Sequence, residues 1–202
     1  NVDFAQIGVR LGTGEFYQYL ARFGVGADVD LPVAVERDEV PPQDSVSTSE
    51  LAQMSFGQGS LAVTPLRMAL VAATIANGGV AMRPQLLKQI RAPGSKPVTI
   101  PPATGGYAVS AETADEVRAM MEAVVRYGTG TAAGLARVVV AGKTGTATHP
   151  GGPPDAWFVC FAPADAPRLA VAVVVENAGY GGAVAAPIAR QILEQSLPLY
   201  TQ

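Results

Sequence analysis

The chain of 202 residues carries 14 basic and 17 acidic side chains, 49% hydrophobic and only 15% charged residues, proportions of one globular domain or a large part of one, not of a disordered chain. The net charge of −3, with Lys and Arg scattered singly, argues against a nucleic-acid surface, and a lone Cys160 excludes an internal disulfide framework or a Cys-based zinc cage. The uncharged stretch Met68 to Met82 is too short to span a bilayer and holds Asn77-Gly78-Gly79, and no signal-peptide pattern occurs.

Asn1 opens the chain without an initiator Met, so the chain is expected to be a portion of something longer. Val2 to Arg10 and Glu15 to Arg22 read as short helices, separated by Gly12-Thr13-Gly14 and closed by Gly24-Val25-Gly26. Asp28 to Asp44, with three prolines, reads as irregular loop, and Ser45 to Met54 as a helical turn or two broken by Phe56-Gly57-Gln58-Gly59. A better-delimited helix follows: Thr64 is its N-cap candidate, Pro65 suits the first helical position, and Leu66 to Ala76 is apolar on nearly every face, which predicts a core helix.

Ser95 to Gly106 reads as a linker into a helix from Ser110, whose Val117, Met121, Val124 and Val125 form one stripe and which Gly128-Thr129-Gly130 ends. After Gly134 the period changes to short Val-rich and aromatic runs at Arg137 to Ala147, Ala156 to Phe161 and Leu169 to Val175. The last two are joined by a Pro-flanked turn and are expected to pair antiparallel. Pro187 sits in the opening turn of a closing helix that runs to about Gln195.

Lys143 is the basic residue embedded in a strand-like run, Val140 to Ala147. Thr144 and Thr146 share a face of that strand, and Gly145 lets another backbone approach, which equips it for an extended ligand bearing a carboxylate. A solvated Lys on an edge strand fits the tripeptide as well. Gly142-Lys143-Thr144 is not a P-loop, because the glycine that should open the loop falls at Arg137. Gly128 to Ala133 matches a permissive dinucleotide fingerprint but follows a helix where a strand is required. His149 reads as a solvated loop residue near Asp155, and Glu176-Asn177 as turn formers.

Taken together, these residues resemble the transpeptidase domain of class B penicillin-binding proteins, the bacterial enzymes that cross-link the cell wall, and within it the actinobacterial penicillin-binding protein A type. The resemblance rests on Lys143-Thr144-Gly145-Thr146, Gly57-Gln58 followed by Val63-Thr64-Pro65-Leu66, Ile75-Ala76-Asn77-Gly78-Gly79, Ala156-Trp157-Phe158, Val174-Val175-Glu176-Asn177 and Ala185-Ala186-Pro187-Ile188. Of the three motifs of such enzymes, Ser-x-x-Lys does not occur here: three residues before Lys88, Lys96 and Lys143 stand Gln85, Pro93 and Val140. Asn1 resembles the last residue of the Ser-x-Asn motif. Residues 1–202 therefore resemble the C-terminal part of one transpeptidase domain, helical over about 1–134 and strand-rich over about 135–202, with the nucleophile in an upstream half.

The fold implied is α/β, serine β-lactamase-like, a five-stranded antiparallel sheet with helices on both faces, of which about three strands are found here. Leu169 to Val175 should then be an unpaired edge, prone to aggregate alone. The activity implied is D,D-transpeptidation by serine acyl transfer, on peptidoglycan stem peptides ending in D-Ala-D-Ala, with β-lactam antibiotics as mimics. Lys143 would attract the terminal carboxylate, Thr144 and Thr146 would bond it through their hydroxyls, and the Thr146 N–H would serve an oxyanion hole. Asn1 would bond the substrate amide, and Gly145 would spare the ligand a Cβ.

No cofactor or metal is implied. The partners implied are the upstream half and, through segments absent here, a membrane glycan polymerase. The location implied is the extracytoplasmic face of the cell membrane, anchored by an N-terminal segment outside this chain. A penicillin-recognising sensor or non-catalytic relative, and a serine β-lactamase, are the alternatives. Asp155 stands where relatives often carry His.

Overall fold

The computed structural model describes residues 1–200. Helix α1 (Val2–Leu11) and helix α2 (Thr13–Arg22) are separated by Gly12 alone, whose φ of 83° breaks the helix, so Thr13 and Gly14 join the first turn of α2. The irregular stretch that follows is tied down by Tyr17, whose hydroxyl donates to the Pro41 carbonyl at 2.6 Å, and by a bridge between Glu39 and Ala62. Helix α3 (Thr48–Met54) begins three residues later than expected, because Ser47 caps it by accepting from the Glu50 N–H, while Gln43–Ser45 forms a separate 3₁₀ turn.

Helix α4 (Pro65–Ala76) has the predicted start: Thr64 accepts from the Arg67 N–H at 3.1 Å, and Pro65 is the one exposed residue of its twelve. The segment after it holds more order than a linker. Strand β1 (Val80–Met82), strand β2 (Gln89–Ile90), strand β3 (Val98–Thr99) and strand β4 (Thr104–Tyr107) form two small antiparallel pairs, β1 with β4 and β2 with β3. Their side chains are largely exposed, so no alternation of apolar and polar residues marks them in the sequence. Helix α5 (Ala111–Arg126) is capped by Ser110 and buries Met121 and Val125 of the expected stripe.

The main sheet is antiparallel with the order β5 (Ala141–Ala147), β6 (Asp155–Ala162), β7 (Leu169–Val175). Strand β5 starts four residues after the expected Arg137. Its partner runs out: Ala141 lies opposite Phe161 and β6 ends at Ala162 before a proline, which has no N–H for the ladder. Helix α6 (Ala185–Ser196) packs on one face, where Ala186, Ala189 and Leu193 meet Phe158, Cys160, Val171 and Val173. On the other face Ala72 and Ile75 of α4 and Met121 of α5 pack around Ala141 and Phe161. This is the expected α/β arrangement, with helices on both faces of an antiparallel sheet.

One buried ion pair fixes α4 to the irregular stretch. Asp38, with 1% of its side chain exposed, accepts from Arg67 Nε at 2.8 Å, and its two oxygens also accept from the Thr64 and Gly26 N–H groups. Burial alone would raise the Asp38 pKa, but the hydrogen bonds from Thr64, Arg67 and Gly26 and the Arg67 charge outweigh it and hold the carboxyl below its ordinary value. The stability this pair contributes is therefore present above the unfolded carboxylate pKa and lost as pH falls through the depressed folded value. Asp38→Ala leaves the guanidinium buried without its partner and is expected to destabilise the protein by about 3–5 kcal/mol at neutral pH, measured by urea unfolding, with the difference from wild type shrinking in acid.

Candidate active site

Strand β5 is an edge strand, since β6 pairs with it on one side and no further strand does so among the described residues. In an antiparallel ladder, successive residues turn their N–H and C=O groups alternately toward and away from the partner strand. The Thr144 carbonyl accepts from Lys143 Nζ at 2.7 Å, and the Thr146 carbonyl accepts from Gln58 Nε2 at 3.1 Å. Both carbonyls thus face the open edge. Because the N–H and C=O of one strand residue point the same way, the Thr146 N–H faces that edge as well.

A groove of about 500 Å³ runs along this edge, floored by Lys143 to Ala147, Trp157 and Val159, and walled by Phe56, Gly57, Leu61, Ala62, Val63 and Met68. Four of the five site residues expected from the sequence, Lys143, Thr144, Gly145 and Thr146, come together there. Lys143 and Gly145 share the face of their partners Val159 and Trp157, while Thr144 and Thr146 share the opposite face with Phe158 and Ala156. None of the ion pairs among the described residues includes Lys143, and desolvation in the groove pushes its pKa below the ordinary lysine value. Asn1 is exposed, caps α1 through its carbonyl, which accepts from the Ala5 N–H, and is not among the groove residues.

The expected reason for Gly145 was ligand approach, and the structure supplies a nearer one. A Cβ there would lie 2.9 Å from the Cβ of Trp157, so the cross-strand tryptophan itself requires a glycine. Two residues belong to the site that sequence reasoning did not place there. Gln58 reaches β5 across 88 residues of sequence, and Thr129, read only as part of a helix stop, shares a 2.7 Å hydrogen bond with the Thr144 hydroxyl. The one available signal was the Gly57-Gln58-Gly59 pattern, a polar residue between two glycines.

At the far end of the groove, Asp155 Oδ1 accepts from the Asn177 N–H at 2.8 Å and meets His149 Nε2 at 3.2 Å. The hydrogen bond of His149 with the Pro150 carbonyl, and then the Asp155 charge, push the imidazole pKa up. Cys160 is fully buried and its pKa is pushed up to about 12 by burial, so it offers no thiolate.

A family model for the penicillin-binding protein transpeptidase domain matches residues 1–194. Peptidoglycan D,D-transpeptidase PbpA of Mycobacterium tuberculosis is 38% identical over an alignment of 212 residues that covers 98% of this chain and 42% of the relative. Stage V sporulation protein D of Bacillus subtilis is 34% identical, with 98% of this chain and 32% of the relative covered. The chain thus spans less than half the length of these curated relatives. Among solved structures, the D,D-transpeptidase domain of a peptidoglycan glycosyltransferase from Eggerthella lenta superposes with a TM-score of 0.89 at 34% identity, over 98% of this chain and 51% of that one. Penicillin-binding protein A of M. tuberculosis, as its penicillin G acyl-enzyme complex, gives 0.84 at 37% identity, over 96% of this chain and 45% of that one.

The packing at Gly145 makes a direct prediction. Gly145→Ala forces β5 and Trp157 apart and is expected to cost about 1–3 kcal/mol. Trp157 is the single tryptophan, so its fluorescence reports the shift while thermal unfolding reports the cost.

Proposed function

The chain belongs to the penicillin-binding protein transpeptidase family, and from that membership we propose that it forms the C-terminal part of the catalytic domain of a peptidoglycan D,D-transpeptidase, a serine acyl-transfer enzyme that β-lactams acylate. The observation that carries this reading is the open edge of β5. Lys143, a cation with no ion-pair partner among the described residues, stands beside outward-facing backbone groups of Thr144 and Thr146 in a groove with apolar walls. That edge suits an extended peptide ending in a carboxylate, laid along a strand.

In this reading the nucleophile and its lysine come from outside the chain, because no Ser stands three residues before any Lys here. The serine oxygen attacks the penultimate D-Ala carbonyl, the peptide C–N bond breaks, terminal D-Ala leaves with a proton, and the acyl group passes to an amine on a neighbouring stem peptide. Lys143 attracts the terminal carboxylate, and the Thr144 and Thr146 hydroxyls bond it. The Thr146 N–H, turned to the groove, stabilises the oxyanion. Asn1, which the resemblance makes the end of the Ser-x-Asn motif, lies outside the groove, so its bond to the substrate amide has no support in the geometry of this chain.

Two surfaces support placing the rest of the domain against this chain. Helix α1 exposes Val2 (70%), Phe4 (63%) and Ile7 (56%), and among the described residues β7 has a neighbour on one side only. A second cavity of about 380 Å³, lined by apolar residues of α1, α2 and α4, opens beside the groove. Among the described residues no helix is long and apolar enough to cross a membrane. The proposed reading assigns anchoring at the extracytoplasmic face and contact with a glycan polymerase to segments outside this chain.

The tests use the longer protein that carries this chain, with acylation by a fluorescent penicillin as the readout. Lys143→Ala removes one charge-assisted hydrogen bond worth roughly 1.5–3 kcal/mol, so acylation should fall about 10- to 150-fold. Since burial lowers the Lys143 pKa, its attraction for a carboxylate is present below that value and lost as pH rises through it, at lower pH than for an ordinary lysine. Lys143→Arg, which stays charged, should keep part of the rate and flatten the alkaline fall. Acylation of Lys143→Ala at the wild-type rate would sink the reading. The 202-residue chain alone should form no penicilloyl adduct in a mass spectrum.

At Thr146 the backbone and side-chain roles separate. Thr146→Ser should be mild, and Thr146→Ala moderate through one lost hydrogen bond. Thr146→Pro should cost roughly 10²–10³ in rate, because an outward N–H is the oxyanion donor. Proline there removes no ladder bond, so an unchanged melting temperature is expected alongside. A folded Thr146→Pro protein that acylates as fast as Thr146→Ala refutes the oxyanion role.

A further inference from the structure

Gln58 is the one side chain outside β5 that hydrogen-bonds the Thr146 backbone among the described residues. It does so with both ends of its amide engaged: Nε2 donates to the Thr146 carbonyl at 3.1 Å, and Oε1 accepts from the Thr148 hydroxyl at 2.8 Å. The two contacts fix the amide's orientation, since a flipped amide would set oxygen against the Thr146 carbonyl. One planar group thereby bridges Thr146 near the end of β5 and Thr148 just beyond it, on the side where the strand has no partner among the described residues.

The mount of Gln58 is itself rigid. Gly57 and Gly59 have φ values of 82° and 83°, a conformation that side-chain-bearing residues rarely adopt, and they aim Gln58 out of the loop. The Gln58 N–H donates to the Gln53 carbonyl at 3.0 Å, anchoring the loop to the end of α3. On the other flank Glu50 Oε1 accepts from both the N–H and the hydroxyl of Ser60, at 2.6 and 2.7 Å. The loop that follows α3 is thus tied back to that helix at both Gln58 and Ser60.

We propose that Gln58 is a positioning residue for acyl transfer: by holding the Thr146 carbonyl it fixes the twist of the strand at Thr146, so that the Thr146 N–H, in the preceding peptide unit, points at the developing oxyanion. This rests on the transpeptidase reading above. Holding the carbonyl of a residue also limits rotation of the strand about its own axis, and the N–H moves with it. Preorganisation of such a donor matters to the rate of bond formation and little to capture of the substrate carboxylate, which falls to Lys143.

The test uses the longer protein, with stopped-flow acylation by a fluorescent penicillin separating the preacylation dissociation constant from the acylation rate constant. Gln58→Ala should lower the rate constant about tenfold, part of the 10²–10³ that an oxyanion donor contributes, with the dissociation constant within about twofold of wild type. Gln58→Glu keeps the size and the oxygen that meets Thr148 but sets a carboxylate oxygen against the Thr146 carbonyl, and it should lose at least as much. Thr148→Ala should give a smaller loss, and the double variant Gln58→Ala/Thr148→Ala should be no slower than Gln58→Ala alone, because both act through one amide.

A purely structural role would lower the melting temperature and weaken binding together. A folded Gln58→Ala or Gln58→Glu protein with the wild-type acylation rate constant, or a loss confined to the dissociation constant, overturns the proposal. If neither Gln58 variant folds, Thr148→Ala decides, and a wild-type rate constant there overturns it. Wild-type protein that is not acylated at all overturns the transpeptidase reading instead, before any substitution is made.

Discussion

The open edge of β5 leaves the Thr144 and Thr146 backbone groups without a strand partner, and much of the surrounding structure answers to that. An unpaired strand edge invites indiscriminate pairing, so proteins cover or blunt it. Here the edge is blunted from two directions: Lys143 folds its ammonium onto the Thr144 carbonyl, and Gln58 satisfies the Thr146 carbonyl from a loop. Neither contact uses the Thr146 N–H. Acceptors on the edge are occupied from within the chain, while a donor is left facing the groove.

Such an edge functions only if the opposite wall of the groove is fixed, and the wall is a loop. Phe56 to Val63 joins α3 to α4, and α4 is anchored by polar contacts as well as by burial, α3 by close packing on α1. The Asp38 and Arg67 pair locks the start of α4, with the Arg67 guanidinium also donating to the Ala27 carbonyl. At α3, Gly8 of α1 lies so close to Ser55 that an added Cβ would fall on its hydroxyl, which brings the two helices together at small-residue distance. The buried charges are thus spent on loop geometry, consistent with polar interactions specifying an arrangement more than they add to net stability.

The legible parts of the fold were those with local chemistry. Thr64 announced its helix because a capping oxygen acts within three residues, the stripe of Val117, Met121, Val124 and Val125 announced α5, and β7 was readable to the residue from its Val-rich run, of which Val171 and Val173 are buried. Strands β1 to β4 were illegible because exposed two- to four-residue strands carry no period, and the start of β5 was set by where β6 ends, a fact of register. The family resemblance rested on ordered motifs, and the family match bears it out. Of the site, Lys143 to Thr146 was legible as a contiguous run. Gln58 and Thr129 reach it only through folding, from 88 and 15 residues away, and no periodicity encodes that.

Charge gives the groove a direction. Lys143 is the third residue of β5, and Asp155 lies opposite Ala147, the seventh, so four residues at about 3.3 Å each put the cationic and acidic ends roughly 13 Å apart. Among the described residues Lys143 has no carboxylate partner, whereas Asp155 already accepts from the Asn177 N–H and meets His149. The apolar walls between them weaken solvent screening. In the proposed reading, an extended ligand lying along β5 would be drawn by its anionic end toward Lys143 and away from Asp155. Sheet-like pairing with the β5 backbone alone has no such preference, because it accepts a chain of either polarity. The asymmetry comes from two side chains, and only one of them, Lys143, lies in the motif that identifies the strand.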